Sequence, residues 1–174
     1  MPRTRFTPES PIYTFRVRLR GFLDESGHQV EDVWREIEIA GNQTLADLGN
    51  AIPLAFDFDD LHLWSFFLSG KAWDHATEYA ISSESDLLGG PRPRAARRVL
   101  IRDVPLPGAI GKKEFLFLFD YGDEWHFGVK LARLSPDLDA GVRYPRVVNR
   151  YGQAPPQYPD AEDDLDEGDQ ASEN

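Results

Sequence analysis

Strict alternation opens the chain. Within 12–20, IYTFRVRLR, Tyr13, Phe15, Val17 and Leu19 fall on one face while Thr14, Arg16, Arg18 and Arg20 fall on the other, the pattern of a half-buried β-strand. After a polar loop through Ser26-Gly27-His28, a second alternating run covers 33–39, with Val33, Ile37 and Ile39 opposite Trp34, Glu36 and Glu38. Strand, loop and strand predict an antiparallel pair that sets the arginine row across from Glu36 and Glu38. Opposite charges on facing positions stabilise such a pair, so the row reads as neutralised in place rather than as a nucleic-acid stripe. The period then changes. Thr44 and Asp47 form a capping box, and Leu45, Leu48, Ile52 and then Ala55 or Phe56 recur at spacings of three and four, which predicts a helix over 44–56 with one apolar face. Pro53 removes a backbone donor, so a kink or an early end is expected there.

Beyond the helix, the acidic segment Phe56-Asp57-Phe58-Asp59-Asp60 lacks the Gly and distal Glu of a calcium loop and is not expected to bind metal. A third strand is predicted over 61–68, with Leu61, Leu63, Ser65 and Phe67 on one face and His62, Trp64, Phe66 and Leu68 on the other. Ser69-Gly70-Lys71 then turns into Trp73 and a polar strand reaching Tyr79 and Ile81, and 82–98 is loop. Residues 99–104 make a short strand or turn.

The most concentrated pattern is 115–131, FLFLFDYGDEWHFGVKL, two β-prone runs joined by an acidic turn with Gly, a buried hairpin. Register decides which side chains meet. A two-residue turn at Gly122-Asp123 sets Asp120 opposite Trp125. A three-residue loop, Gly122-Asp123-Glu124, sets Tyr121, Phe119, Phe117 and Phe115 against Trp125, Phe127, Val129 and Leu131, and places Asp120 beside His126. The second register gives the more uniform aromatic face and is the one expected. After the hairpin, Tyr144-Pro145-Arg146 and Tyr151 to Pro156 read as an extended, proline-stiffened strap lying on the sheet.

The fold class that follows is α+β: a single domain with a mostly antiparallel, mixed sheet, one main helix on a face, a β-grasp-like start and a C-terminal strap. Its span is 12–158, between a flexible N-terminus at 1–11 and a tail at 159–174. The tail holds eight of the 30 acidic residues and no Lys or Arg, leaving 22 acidic against 19 basic residues in the body. The low pI is therefore a property of the tail, which by composition is expected to be disordered. No cysteine is present, which excludes disulfides and thiolate metal sites. No apolar run approaches the ~18 residues of a membrane helix, and the N-terminus has no signal-like apolar core; a cytoplasmic location is expected, without membrane association.

Asp–His chemistry near the hairpin admits an enzymatic reading, a metal-assisted hydrolase or nuclease-like site using Asp120, Asp123, His126 and His62. It requires the four side chains to converge in one concavity. A second reading is nucleic-acid binding through Arg92, Arg94, Arg97 and Arg98, the basic cluster without nearby acids. The leading expectation is a non-enzymatic module that binds another protein, with Asp120 and His126 as the only catalytic candidates and with Asp123, Trp125, His62, Tyr144 and Arg146 on its binding surface. No cofactor and no metal is called for.

Several of these residues also carry a resemblance. Trp34-Arg35, Thr44-Leu45-Ala46 with Leu48, Ala51-Ile52, Ala55-Phe56, Asp59 with His62-Leu63, and Phe119-Asp120-Tyr121-Gly122-Asp123 with Trp125 resemble the pRiA plasmid ORF-three-like proteins, and Tyr144-Pro145-Arg146 and 152–156 continue the match. The resemblance implies an α+β domain, a link to plasmid or mobile-element functions and no settled activity. The chain departs from the family pattern twice. His126 follows Trp125 directly, so Phe127 stands where the family usually has histidine, and Gln157-Tyr158 stands where the strap usually continues into Glu-Asp. If those family residues form a site, part of it is lost or rearranged here.

Overall fold

The computed structural model describes residues 10–21, 26, 32–82, 92–108, 110–136 and 139–158. The N-terminal residues before Ser10, Gly27-His28 of the first loop, Gly89-Gly90-Pro91 and the acidic tail from Pro159 lie outside the described residues.

The two alternating runs form β1 (Ile12–Arg20) and β2 (Trp34–Ala40), antiparallel, with Phe15 opposite Ile37 and Arg16 opposite Glu36. Helix α1 (Leu45–Ala55) begins at Thr44, whose hydroxyl accepts from Asp47 N (3.1 Å) while Asp47 Oδ2 accepts from Thr44 N (2.8 Å). It ends two residues after Pro53. The sheet continues through β3 (Trp64–Phe67), β4 (Glu78–Ala80), β5 (Arg94–Ala95), β6 (Phe115–Phe119), β7 (Trp125–Ser135) and β8 (Arg146–Tyr151). In space the order is β5-β4-β3-β6-β7-β1-β2-β8. All neighbours are antiparallel except β4 and β5. The long strand β7 closes the sheet by pairing with both β6 and β1, so β3 is separated from β1 by the whole hairpin.

The main core lies on the α1 side. Phe15, Val17, Ile37, Ile39, Leu45, Leu48, Ile52, Phe117, Phe119 and Phe127 are buried there. Phe67, Leu116 and Leu118 form a smaller cluster on the other face. That second face also carries the arginine row, with Arg16 paired to Glu36 (2.8 Å), Arg18 to Asp32 (3.0 Å) and Arg20 to Glu114. Glu38 takes Arg146 instead (2.8 Å).

The hairpin corrects the expected register. Phe119 pairs with Trp125, Phe117 with Phe127 and Phe115 with Val129, so the loop is Asp120–Glu124 and every pair is shifted by two. A shift of two preserves the faces, so Phe115, Phe117, Phe119, Trp125, Phe127 and Val129 share the aromatic face as expected, but Tyr121, now in the loop, turns to the other face and packs with Phe67, Leu116 and Leu118. Asp120 does not sit beside His126, which is opposite Leu118. The physical reason is at the two ends of the loop. Asp120 (φ 60°) and Glu124 (φ 53°) are both left-handed, and Asp120 Oδ1 accepts from Gly122 N (3.0 Å), an Asx turn that removes these two residues from the ladder. No helix among the described residues is long and apolar enough to cross a membrane.

Candidate functional site

The end of α1, the tip of the β6–β7 hairpin and the strap meet in one polar cluster. The carbonyl of Pro53 accepts from both Phe56 N (3.0 Å) and Phe58 N (3.0 Å). Asp57 (φ 62°) then turns the chain, so that Phe58 goes inward against Trp125, ring centroids 4.8 Å apart. Asp59 Oδ1 accepts from Leu61 N (3.2 Å) and so shapes the turn that leads to His62. From the hairpin, Asp120 N donates to Leu63 O (2.9 Å), which carries the β6–β3 pairing one step beyond Phe119. Its Oδ1 holds the loop, and its Oδ2 lies 3.3 Å from His62 Nδ1. The imidazole rests edge-on against Phe119, centroids 5.7 Å apart.

The strap completes the cluster from its far end. Gln157 clamps Asp59 twice, accepting from Asp59 N (2.7 Å) and donating to Asp59 Oδ1 (3.2 Å). The Tyr158 hydroxyl lies 2.7 Å from His62 Nε2 and donates to Asp59 Oδ2 (2.8 Å). One line thus runs Asp120–His62–Tyr158–Asp59. The Asp59 carboxylate holds the Tyr158 proton, and burial and the Asp120 and Asp123 charges add to it, pushing the phenol up to about 12. In turn the Tyr158 hydroxyl, more than any other partner, holds Asp59 below the usual carboxylate range.

The start of the strap is fastened by Arg35. It lies on the core-facing side of β2 and is 3 % exposed. Its guanidinium donates to Ala55 O (2.9 Å), Trp34 O (2.9 Å), Tyr151 O (3.0 Å) and Gly152 O (3.1 Å), which ties the last turn of α1 to the end of β8. Burial, then the neighbouring Arg150, lowers its pKa. Gly152 (φ 71°) passes so close that a Cβ there would meet Asp32 O at 2.7 Å.

These contacts make the cluster a latch. A histidine oriented by a carboxylate is general-base geometry, but the outer ring nitrogen that such a base would present to a substrate faces the Tyr158 hydroxyl. Among the described residues no group of three or more His, Asp or Glu side chains is disposed to hold a metal ion.

The residues expected at the site divide into three places. His62 and Asp120 meet, Asp123 adds its charge beside them, and Trp125 wedges against Phe58 beneath. His126 does not join them. It stands opposite Leu118 and Arg20, on the face away from Phe119, whose ring carries His62. Tyr144 and Arg146 lie at the β8 end, four strand spacings or roughly 19 Å from β6. There Tyr144 O accepts from Gln43 Nε2 (2.7 Å) and Arg146 Nε donates to Glu38 (2.8 Å). A groove of about 410 Å³ runs between α1 and β8, lined by Ile37, Ala51, Leu54, Pro145, Val147 and Arg150 among others. A further buried network on the opposite face was not legible from pattern: Glu78, 5 % exposed, accepts from Ser65 Oγ (2.6 Å) and faces His75 Nδ1 (2.6 Å), and Ser65 meets Tyr121. Ser65 within an otherwise apolar strand was its one sequence signal.

The family model described as plasmid pRiA4b ORF-3-like protein matches residues 12–162. The chain belongs to that family. It is 28% identical over 142 residues to the uncharacterized protein y4hQ of Sinorhizobium fredii (strain NBRC 101917 / NGR234), a match that covers 81% of this chain and 64% of that protein's length. The crystal structure of MM3350 from Methanosarcina mazei Go1, a protein of unknown function, has the same fold at a TM-score of 0.63 and 22% identity, covering 85% of this chain and 73% of that one. Within this plasmid pRiA4b ORF-3-like domain, the residues that carry the family resemblance explain themselves structurally: Thr44 caps α1, Arg35 fastens the strap, and Asp59, His62 and Asp120 form the latch. Both departures from the family pattern fall around that latch. Phe127 is fully buried against Phe56 and Phe58, and Gln157 and Tyr158 are the strap's own contribution to it.

Proposed function

We propose that this protein is a non-enzymatic, protein-binding module of plasmid or mobile-element function, which takes an extended partner segment along β8 and the groove beside α1. One observation carries the reading. Among the described residues β8 has a strand neighbour on one side only, and the groove lies next to that edge. An open edge strand beside a helix is the arrangement in which a partner strand adds to a sheet, with main-chain hydrogen bonds for affinity and a groove for alternate side chains. The groove asks for apolar side chains against Ile37, Ala51 and Val147, with an acidic group near Arg150. Val148, 39 % accessible, adds apolar surface along the strand. The hydrolase reading fares worse, because His62 and His126 lie on opposite faces and the His62 ring nitrogens face Asp120 and Tyr158.

Site-specific photocrosslinking in the native cell tests this. A photoreactive residue at Leu54 is expected to give one discrete protein adduct that disappears when Ala51→Arg fills the groove. The identified partner segment, added to the purified chain, is then expected to slow amide exchange along β8. Adducts indifferent to Ala51→Arg, or equally abundant from a probe at Lys112, would refute the reading.

A further inference from the structure

The opposite end of the sheet carries a different surface, independent of the groove. β4 and β5 run parallel, Tyr79 beside Arg94 and Ala80 beside Ala95, and the 3-10 turn Ala96–Arg98 follows at once. Ala96 is fully buried and pins that turn to the core. Arg94 and Arg98 are therefore presented from a fixed support. With Tyr79, Arg92, Pro93 and Val99 they line a hollow of about 450 Å³ in which, among the described residues, no carboxylate takes part. Arg94 is also oriented: its Nη1 donates to Ala76 O (2.8 Å), and its guanidinium lies over the Tyr79 ring at 5.5 Å.

Charge makes this hollow unlike the rest of the molecule. The chain has a formal net charge of −11, and the arginines of the open sheet face each have an acid: Arg16, Arg18, Arg20 and Arg133 pair with Glu36, Asp32, Glu114 and Glu36. Arg94, Arg97 and Arg98 have no such partner among the described residues, and all three are exposed. Guanidinium groups gathered in one concavity repel one another, and a multiply charged oxyanion relieves that repulsion while matching their forked donors. The volume falls within the range of small-molecule sites, ~300–1,000 Å³. A long nucleic-acid backbone fits less well, because the arginines that line the hollow come from one short stretch, 92–98, on a chain that is acidic as a whole.

We infer that the hollow is a binding site for the diphosphate group of a small phosphorylated ligand, held by Arg94 and Arg98. The test is calorimetric titration of the full chain at low salt with two probes, inorganic pyrophosphate and ADP. Both are expected to bind once per chain. Arg98→Gln, which removes an exposed side chain paired with no acid among the described residues, is expected to weaken each about tenfold or more, the scale of one charge-assisted hydrogen bond; Lys112→Gln, an exposed cation elsewhere, is expected to change nothing. Equal affinities for the probes mean that the oxyanion alone is recognised, and tighter ADP binding means that the nucleoside contributes; either supports the assignment. Absence of binding at millimolar probe, or binding indifferent to Arg98→Gln, overturns it. A single-stranded oligonucleotide that binds far more tightly than ADP and depends on Arg98 would replace it with a nucleic-acid site.

Discussion

Replacing Gly49 with alanine sets two effects of opposite sign against each other inside α1. Helix propensity alone favours alanine over glycine by about 1 kcal/mol. At this position, however, a Cβ would come within 3.0 Å of three atoms of the Trp64 six-membered ring, with Cζ3 at 2.7 Å, where carbon contacts prefer ~3.5–4.0 Å. The indole cannot simply move. It is 2 % exposed, packs on Phe66 and Phe117 with centroids 5.4 Å away, and donates from Nε1 to Asn50 Oδ1 (3.3 Å). Forcing extra volume into such a site costs about 1–3 kcal/mol, and loosening the Asn50 hydrogen bond adds to it. The net expectation for Gly49→Ala is a loss of about 1–2 kcal/mol. Urea denaturation reads this as a lower midpoint, by about 0.5–1 M at an unchanged slope. Trp64→Phe withdraws the obstructing ring, so in that background Gly49→Ala is expected to be neutral or to stabilise by up to ~1 kcal/mol. A raised midpoint for Gly49→Ala alone, or the same change in both backgrounds, would refute the packing argument.

Three further outcomes follow from the strap and its fastenings. Phenolate absorbance, compared between the intact chain and Tyr158→Phe, should show Tyr158 titrating near 12 rather than near 10.0, and Asp59→Asn should return it toward the ordinary value; titration near pH 10 with Asp59 intact would remove the latch. Because the folded pKa is the higher one, the stability linked to Tyr158 is complete below about pH 10 and is lost as pH rises to about 12. Arg35→Ala leaves several backbone carbonyls without their buried donor and should cost about 3 kcal/mol in urea denaturation, while opening 152–157 to protease; a loss under ~1 kcal/mol would show that the carbonyls find other partners. Gly152→Ala must place a Cβ against Asp32 O at positive φ and should lose about 1–3 kcal/mol, whereas the exposed, contact-free Gly141 should tolerate proline-free polar substitution at the smaller cost of its φ alone.

The parts of the fold that rest on local physics were legible in the sequence. Thr44 and Asp47 lie three residues apart and announce the cap; β1 and β2 alternate because one face is wet; the spacing of Leu45, Leu48, Ile52 and Ala55 marks out α1, which runs past Pro53 to Ala55. The aromatic face of the hairpin was legible because alternation survives any even shift, but the register was not, since it depends on Asp120 and Glu124 adopting left-handed backbone that their residue types permit without requiring. Arg35 occupies an apolar position of β2, which pattern reading passes over because a buried guanidinium makes sense only once four carbonyls surround it. The latch joins residues around 59–62, 120 and 158. Nothing local in Asp59 or Tyr158 points across such distances; the Asp–His reading set His62 beside Asp120, and the family resemblance added Asp59. His126 is absent from the cluster because it keeps the other face, while Asp120 leaves the ladder in left-handed backbone and turns to His62.

The order of strands also fixes when the sheet can be finished. β1 precedes every other strand among the described residues, yet its second neighbour is β7, more than a hundred residues later in the chain. At ~5–20 residues per second of synthesis, one edge of β1 waits roughly 5–20 s for a partner, with Phe15, Val17 and Leu19 covered only by what β2 and α1 can offer. Until then the half-built domain is two separate pieces, β1 with β2 and α1 on one side and β3 to β6 on the other, each too small to hold itself together. Folding is therefore expected to be late and all at once, on emergence of β7, rather than progressive from the N-terminus. Charge on the exposed face of that waiting edge, the row Arg16, Arg18 and Arg20, is what such a nascent strand needs to stay apart from its neighbours.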